Sequence, residues 1–141
     1  MGEALRELAR QLREEDTPIS PHVTESPPPG DFDLPGEYAL VAEAVREGYL
    51  LHYGEPRLLG GHDQDLALLA GDYLYALGIE RLAALGDSES VRLLADLISD
   101  CARLHAEDRE GEVQERWNQV VSELKKNSER QCGQAVQGRR E

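Results

Sequence analysis

The sequence predicts an all-α protein, a bundle of about four to five helices. Three observations predict it. Apolar residues recur at intervals of three and four in successive stretches, and each stretch is bounded by Pro, Gly or a residue suited to capping. No convincing run alternates apolar and polar side chains in the manner of a strand. With 141 residues, 40% of them hydrophobic, the chain has the material for one modest core.

Residues 1–16 form the first unit, an amphipathic helix in which Ala4, Leu5, Leu8 and Leu12 fall at helical spacing among Arg and Glu. Thr17-Pro18 ends it. Residues 17–36 follow as a Pro-rich linker, because six of the seven prolines lie between Pro18 and Pro35, three of them consecutive, and such a density removes amide donors and favours extended chain. The first helix is therefore expected to be tethered to the core rather than continuous with it.

The helical core domain is expected over residues 37–126. A helix from about Glu37 to His52 carries Leu40, Val41, Ala44, Val45 and Leu51 and is broken by Tyr53-Gly54-Glu55-Pro56. After the turn Gly60-Gly61-His62-Asp63, residues 64–85 make the most hydrophobic helix, stopped by Gly86. Asp87 or Ser88 is placed to cap the next helix, whose stripe reads Val91, Leu94, Ala95, Ile98, Cys101, Ala102 and His105. Around Gly111 the chain bends or breaks, and Val113, Trp117, Val120, Val121 and Leu124 resume helical spacing. Residues 127–141 are polar and Gly-bearing and read as a frayed tail.

The net charge of −13 is unevenly distributed: residues 1–123 carry 10 basic and 26 acidic side chains, residues 124–141 carry 5 and 2. An acidic body repels phosphate backbones, which excludes nucleic acid as the expected partner. Cys101 and Cys132 match no metal-ligand spacing, and no segment reads as a signal peptide, so reduced thiols in a cytoplasmic protein are expected. The longest apolar run, Leu66 to Ile79, is 14 residues and contains Asp72, too short for a transmembrane span of about 20.

Several residues stand out as candidates for function. Ala67, Gly71 and Gly78 lie near one face of the hydrophobic helix and would admit another backbone closely, either within the bundle or between subunits. Asp72, set among apolar neighbours, needs a partner if buried, Arg46 or Arg103 being possible ones. His62-Asp63 has the form of a metal-binding pair, although a turn His and a helix N-terminal Asp describe it equally. Asp96 and Asp100, four apart, share a helical face and with His105 and Asp108 offer oxygen ligands for Mg²⁺, or simply a solvated acidic face. No phosphate-binding glycine loop, zinc cluster or nucleophilic triad is present in the sequence.

The string from Asp65 to Asp87, with Leu-Ala-Gly-Asp-Tyr-Leu at its centre and Leu-Ala-Ala-Leu-Gly-Asp at its end, resembles a helix of the all-trans polyprenyl diphosphate synthases. The likeness continues more weakly from Val91 to Asp108 and covers about a third of the chain. Catalytic members of that family hold Mg²⁺ on two Asp-rich motifs. Neither is found here: where the first would stand, Glu55, Asp63 and Asp65 are the only acids, and Asp63 and Asp65 do not share a helix face. The chain most resembles the small, non-catalytic subunit of the two-component hexaprenyl and heptaprenyl diphosphate synthases.

That resemblance implies part of the isoprenoid synthase fold and no cofactor on this chain, with Mg²⁺ on a catalytic large subunit. It also implies an interface or apolar chain-elongation groove to which Ala67, Gly71, Asp72, Tyr73, Tyr75, Leu77 and Gly78 contribute, with the prenyl diphosphate chain as a candidate partner at that interface. Two other readings of the same residues are a stand-alone acidic helical interaction protein and a small metal-dependent phosphohydrolase using His62, Asp63 and Asp96 or Asp100.

Overall fold

Five α-helices account for the regular structure of the computed structural model, which describes residues 3–61 and 63–139: α1 (Glu3–Glu14), α2 (Glu37–Tyr53), α3 (Gln64–Ala84), α4 (Ser88–Ala106) and α5 (Val113–Arg139). Short 3-10 turns at Ser20–His22 and Glu110–Glu112 complete it. The predicted all-α architecture is what forms, and among the described residues no helix is long and apolar enough to cross a membrane.

Helix α2 is the axis of the bundle. Residues 38 to 45, Glu47, Gly48 and Leu51 are all buried, so α1, α3 and α5 pack around it on different sides. The contact with α3 is the closest. The two helices run antiparallel, with Gly48 against Gly71 and Val41 and Val45 against Gly78. A Cβ on Gly48 would lie 2.9 Å from the Gly71 carbonyl oxygen and 2.8 Å from the Tyr75 ring. One on Gly71 would lie 2.3 Å from the His52 ring, and one on Gly78 would lie 2.7 Å from Val45. The backbones therefore approach to a distance that only glycine permits. The small-residue face of α3 predicted from sequence is thus used inside the chain.

The expectation of a merely tethered first helix is corrected. Leu5, Leu8, Ala9 and Leu12 of α1 are at most 1% exposed and join one core cluster with Leu40, Ala44, Leu74 and Leu77. An amphipathic helix with four such residues gains more by burial than chain entropy costs a linker already stiffened by proline. The linker is itself fastened to the body. Ile19, Val23 and Leu34 are buried, and Val23 forms an isolated antiparallel bridge with Leu59, in which Thr24 N donates to Leu58 O at 2.7 Å and Gly60 N to His22 O at 2.9 Å.

Two fully buried carboxylates hold the loops on either side of α2. Glu43 and Glu47, one turn apart, both face Arg57. The Arg57 Nη1 donates to Glu43 Oε1 at 2.8 Å and its Nε to Glu47 Oε1 at 3.1 Å. Backbone amides complete the set: Asp31 N donates to Glu43 Oε2 at 2.7 Å, while Arg57 N and Leu58 N donate to Glu47 Oε2 at 2.9 and 2.8 Å. Gly30 is required here, since a Cβ would fall 2.0 Å from Glu43 Oε2. Burial, only partly offset by Arg57, raises the Glu43 carboxyl above its ordinary 4.5.

The later helices follow local signals with two corrections. Asp63 caps α3 by accepting from Leu66 N at 2.8 Å, Gly86 terminates that hairpin at φ +78°, and Asp87 caps α4 by accepting from Ser90 N at 3.1 Å. Gly111 lies in the 3-10 turn between α4 and α5, so the helix is broken rather than bent. The inward stripe of α4 is Ser90, Leu94, Leu97, Cys101 and Leu104. Ala95 and Ala102, predicted inside, are exposed, because the helix instead turns Leu97 and Leu104, each two positions further on, into the core, where the larger side chains gain more by burial.

The polar tail predicted from residue 127 is also corrected: α5 continues to Arg139. Asn127 and Ser128 are buried, with Asn127 Nδ2 donating to Ser90 Oγ at 2.8 Å. Ser90 Oγ and the Tyr38 hydroxyl each donate to Asp87 Oδ2 at 2.6 Å, so one polar chain joins α2, the α4 cap and α5. Burial opposes ionisation of Asp87, but the hydrogen bonds from Ser90 and Tyr38 outweigh it and hold its carboxyl below the ordinary 3.8.

The glycine seam predicts that Gly48→Ala lowers unfolding free energy by about 1 to 3 kcal/mol through overpacking. Gly111→Ala, at a position with nothing within 4 Å of its Cβ, should change it by less than about 0.5 kcal/mol. Urea denaturation of both variants checks this, and equal effects would refute the seam.

Glu43 gives a pH prediction. Because its folded-state value is raised, its contribution is fully present below about pH 4.5 and is lost as pH rises through the folded-state value. Glu43→Gln, which mimics the protonated acid, should therefore gain stability relative to wild type as pH rises from about 4.5 towards about 7. Denaturation curves at several pH values measure the gap; a gap that stays flat or narrows contradicts the shift.

Candidate functional site

Helix α3 carries apolar residues on every side, yet it is covered on one side only, and its outward side mixes them with the exposed carboxylates Asp65, Asp72 and Glu80. Ala67, Ala70, Gly71, Leu74, Leu77, Gly78 and Leu82 face the bundle and are buried. On the opposite side Leu68 is 48% and Leu69 59% exposed, and Ala76 and Ala83 are exposed with them. Apolar side chains on the outward side of a helix leave surface that the chain's own core does not cover. The bare stripe is accordingly the feature of this surface that most needs a partner.

The residues assigned to an interface or groove from sequence are mostly turned the other way. Ala67, Gly71, Leu77 and Gly78 are buried within the chain, which corrects their placement on an outer docking face. Tyr73 is half-buried. Its hydroxyl donates to Glu15 Oε2, and burial followed by that carboxylate pushes it up to about 12. Tyr75 packs across Gly48 with its ring centroid 5.2 Å from that of His52, and burial raises its hydroxyl as well. None of these three large side chains lines an outer groove.

Asp72 is likewise corrected. Its side chain is 74% exposed, so it is not a buried polar lock. Its partner is neither Arg46 nor Arg103 but His52, whose Nε2 lies 3.2 Å from Asp72 Oδ1 and 3.2 Å from the Leu68 carbonyl oxygen. Both neighbours are acceptors, so Nε2 carries the proton and serves the two together. Arg46 instead lies over the Trp117 ring at 5.1 Å and the Tyr49 ring at 5.4 Å. Arg103 pairs with Glu107 at 3.3 Å.

The metal candidates are not brought together. His62 lies outside the described residues, and Asp63 is spent on the α3 cap. Asp96 is exposed, whereas Asp100 accepts from Arg116 Nε at 2.7 Å and so ties α4 to α5. His105 Nε2 is 2.8 Å from the Tyr49 hydroxyl and its ring stacks on Tyr53 with centroids 4.0 Å apart. Among the described residues no group of three or more His, Cys, Asp or Glu is placed to hold a metal ion. Cys101 is buried, which pushes its thiol up to about 11 and leaves it protonated at neutral pH.

The residues that sequence reasoning missed are Leu68, Leu69, Ala76 and Ala83. A signal was present, since a helix without a polar side must present apolar surface wherever its neighbours run out. Comparison with protein-family models, with curated proteins and with solved structures found no match to this chain.

Proposed function

We propose that this chain is a non-catalytic accessory subunit of a polyprenyl diphosphate synthase, docking on the catalytic large subunit through the outer face of α3. The observation that carries the reading is the exposure of Leu68, Leu69, Ala76 and Ala83 on the outward side of α3, within the segment that resembles the synthase family, Asp65 to Asp87. Burying Leu68 and Leu69 on a partner removes apolar area from water at about 25 cal/mol per Å². The contribution to a chain-elongation groove then belongs to this outer stripe, because Tyr73, Tyr75 and Leu77 are committed to the chain's own packing.

In this reading Mg²⁺ and the reacting diphosphates sit on the large subunit. The small chain supplies apolar wall and helix-packing surface. Its acidic body matches a docking surface whose rim is basic, a complementarity that speeds association and selects the partner more than it adds affinity.

The test is co-expression with a synthase large subunit that carries both Asp-rich motifs, followed by elongation from farnesyl and isopentenyl diphosphates. Activity or product length should depend on this chain, and Leu69→Glu should abolish co-purification while leaving the far-UV circular dichroism of the chain unchanged. Identical products with and without the chain would end the proposal.

A further inference from the structure

Arg57 and Arg46 are both mostly buried, and the fold serves them differently. Arg57, with 13% of its side chain exposed, donates hydrogen bonds to Glu43, Glu47 and Asp31. Arg46, with 19% exposed, donates none among the described residues. Its carboxylate neighbour is Asp31, whose Oδ2 lies 4.0 Å from Arg46 Nε and already accepts from Arg57 Nη1 at 3.1 Å. The Trp117 and Tyr49 rings, 5.1 and 5.4 Å away, attract the positive charge but accept none of the five N–H groups that lie in the guanidinium plane. A charged donor set taken largely out of water and left without an acceptor is costly, and it is exceptional enough to need a cause.

Arg46 opens onto a cavity of about 520 Å³ between the end of the linker, α2 and α5, a size within the roughly 300 to 1,000 Å³ of sites that hold small molecules. Phe32, Trp117 and Val121 give it an apolar wall, stiffened by the stacking of Phe32 on Trp117 with centroids 5.7 Å apart. At its rim Asn118 Oδ1 accepts from Gln114 Nε2 at 3.0 Å, which leaves the Asn118 amide hydrogens for a further acceptor.

We propose that this cavity binds a small organic monocarboxylate, its two oxygens on the Arg46 guanidinium and its apolar body against Phe32 and Val121. The proposal is independent of the docking role above. A carboxylate supplies two acceptors in the plane that the fork of an arginine matches, and the rings that hold the guanidinium flat present that fork ready-made. Charge selects a monoanion over phosphate. Arg46 and Arg57 stand against Glu43, Glu47 and Asp31, so the surroundings give a dianion no net attraction, and Arg46 is the only basic side chain among the described residues that line the cavity.

The chain has one tryptophan, so the indole N–H resonance of the ¹⁵N-labelled full chain reports on Trp117 alone. Phenylacetate, titrated into the millimolar range expected of so small a ligand, should shift that resonance saturably. Phenylacetamide, of nearly the same shape without the charge, should bind at least about tenfold more weakly, and inorganic phosphate should leave the resonance in place. Arg46→Lys, which keeps the charge and loses the fork, should weaken phenylacetate binding about tenfold. Asp31→Asn, at a side chain 49% exposed, removes a nearby negative charge and should tighten it about threefold; this variant carries the test if the Arg46 variant unfolds. Equal affinity for acid and amide, no saturable shift with either, or a tighter response to phosphate overturns the proposal. So does unchanged affinity in a folded Arg46→Lys, or binding that fails to tighten in Asp31→Asn.

Discussion

The rest of the molecule depends on the close approach of α2 and α3. Gly48, Gly71 and Gly78 bring the two backbones together so tightly that α3 has no rotational freedom about its own axis. Once that face is fixed inward, the opposite face is fixed outward. In an ordinary surface helix the outward face would be polar. Here Leu68, Leu69, Ala76 and Ala83 share it with Asp65, Asp72 and Glu80, so the packing inside the chain and the apolar surface left outside it have one cause.

The loops flanking α2 are held by charge as well as by the buried Ile19, Val23, Leu34, Leu58 and Leu59. Glu43 and Glu47 take the amides of Asp31, Arg57 and Leu58, and Arg57 bridges both carboxylates. At the other end Tyr38, Asp87, Ser90 and Asn127 form a second buried polar chain that sets the start of α4 against α5. Removing one member of such a network leaves the others buried without partners, which costs more than the isolated interaction is worth. These networks choose one loop arrangement from many that the apolar residues alone would accept.

At Gly111 the sequence allowed a bend or a break, and the structure has the break. Features decided by local chemistry were legible in the sequence: the all-α class, the caps at Asp63 and Asp87 and the stop at Gly86. The phase of α3 was not, because a helix with apolar residues on every side gives no preferred direction to read. Nor was the burial of Glu43 and Glu47, which depends on an arginine ten and fourteen residues further on. The continuation of α5 rests on Asn127 meeting Ser90, 37 residues away. At the candidate site, the small-residue face was recognised and serves within the bundle, one of the two uses that the sequence allowed, whereas Asp72 was read as buried because its sequence neighbours are apolar. Neighbours in a helical sequence point in different directions.

The exposure of Leu68 and Leu69 bears on how the chain behaves in solution. Two bare leucines on a rigid helix invite indiscriminate sticking, both to other copies and to chaperones and proteases that sample exposed apolar surface. Asp72 interrupts that surface with a charge, and a net charge of −13 makes copies of the chain repel each other. The same carboxylate that sits awkwardly in an apolar run thereby acts as a gatekeeper against aggregation.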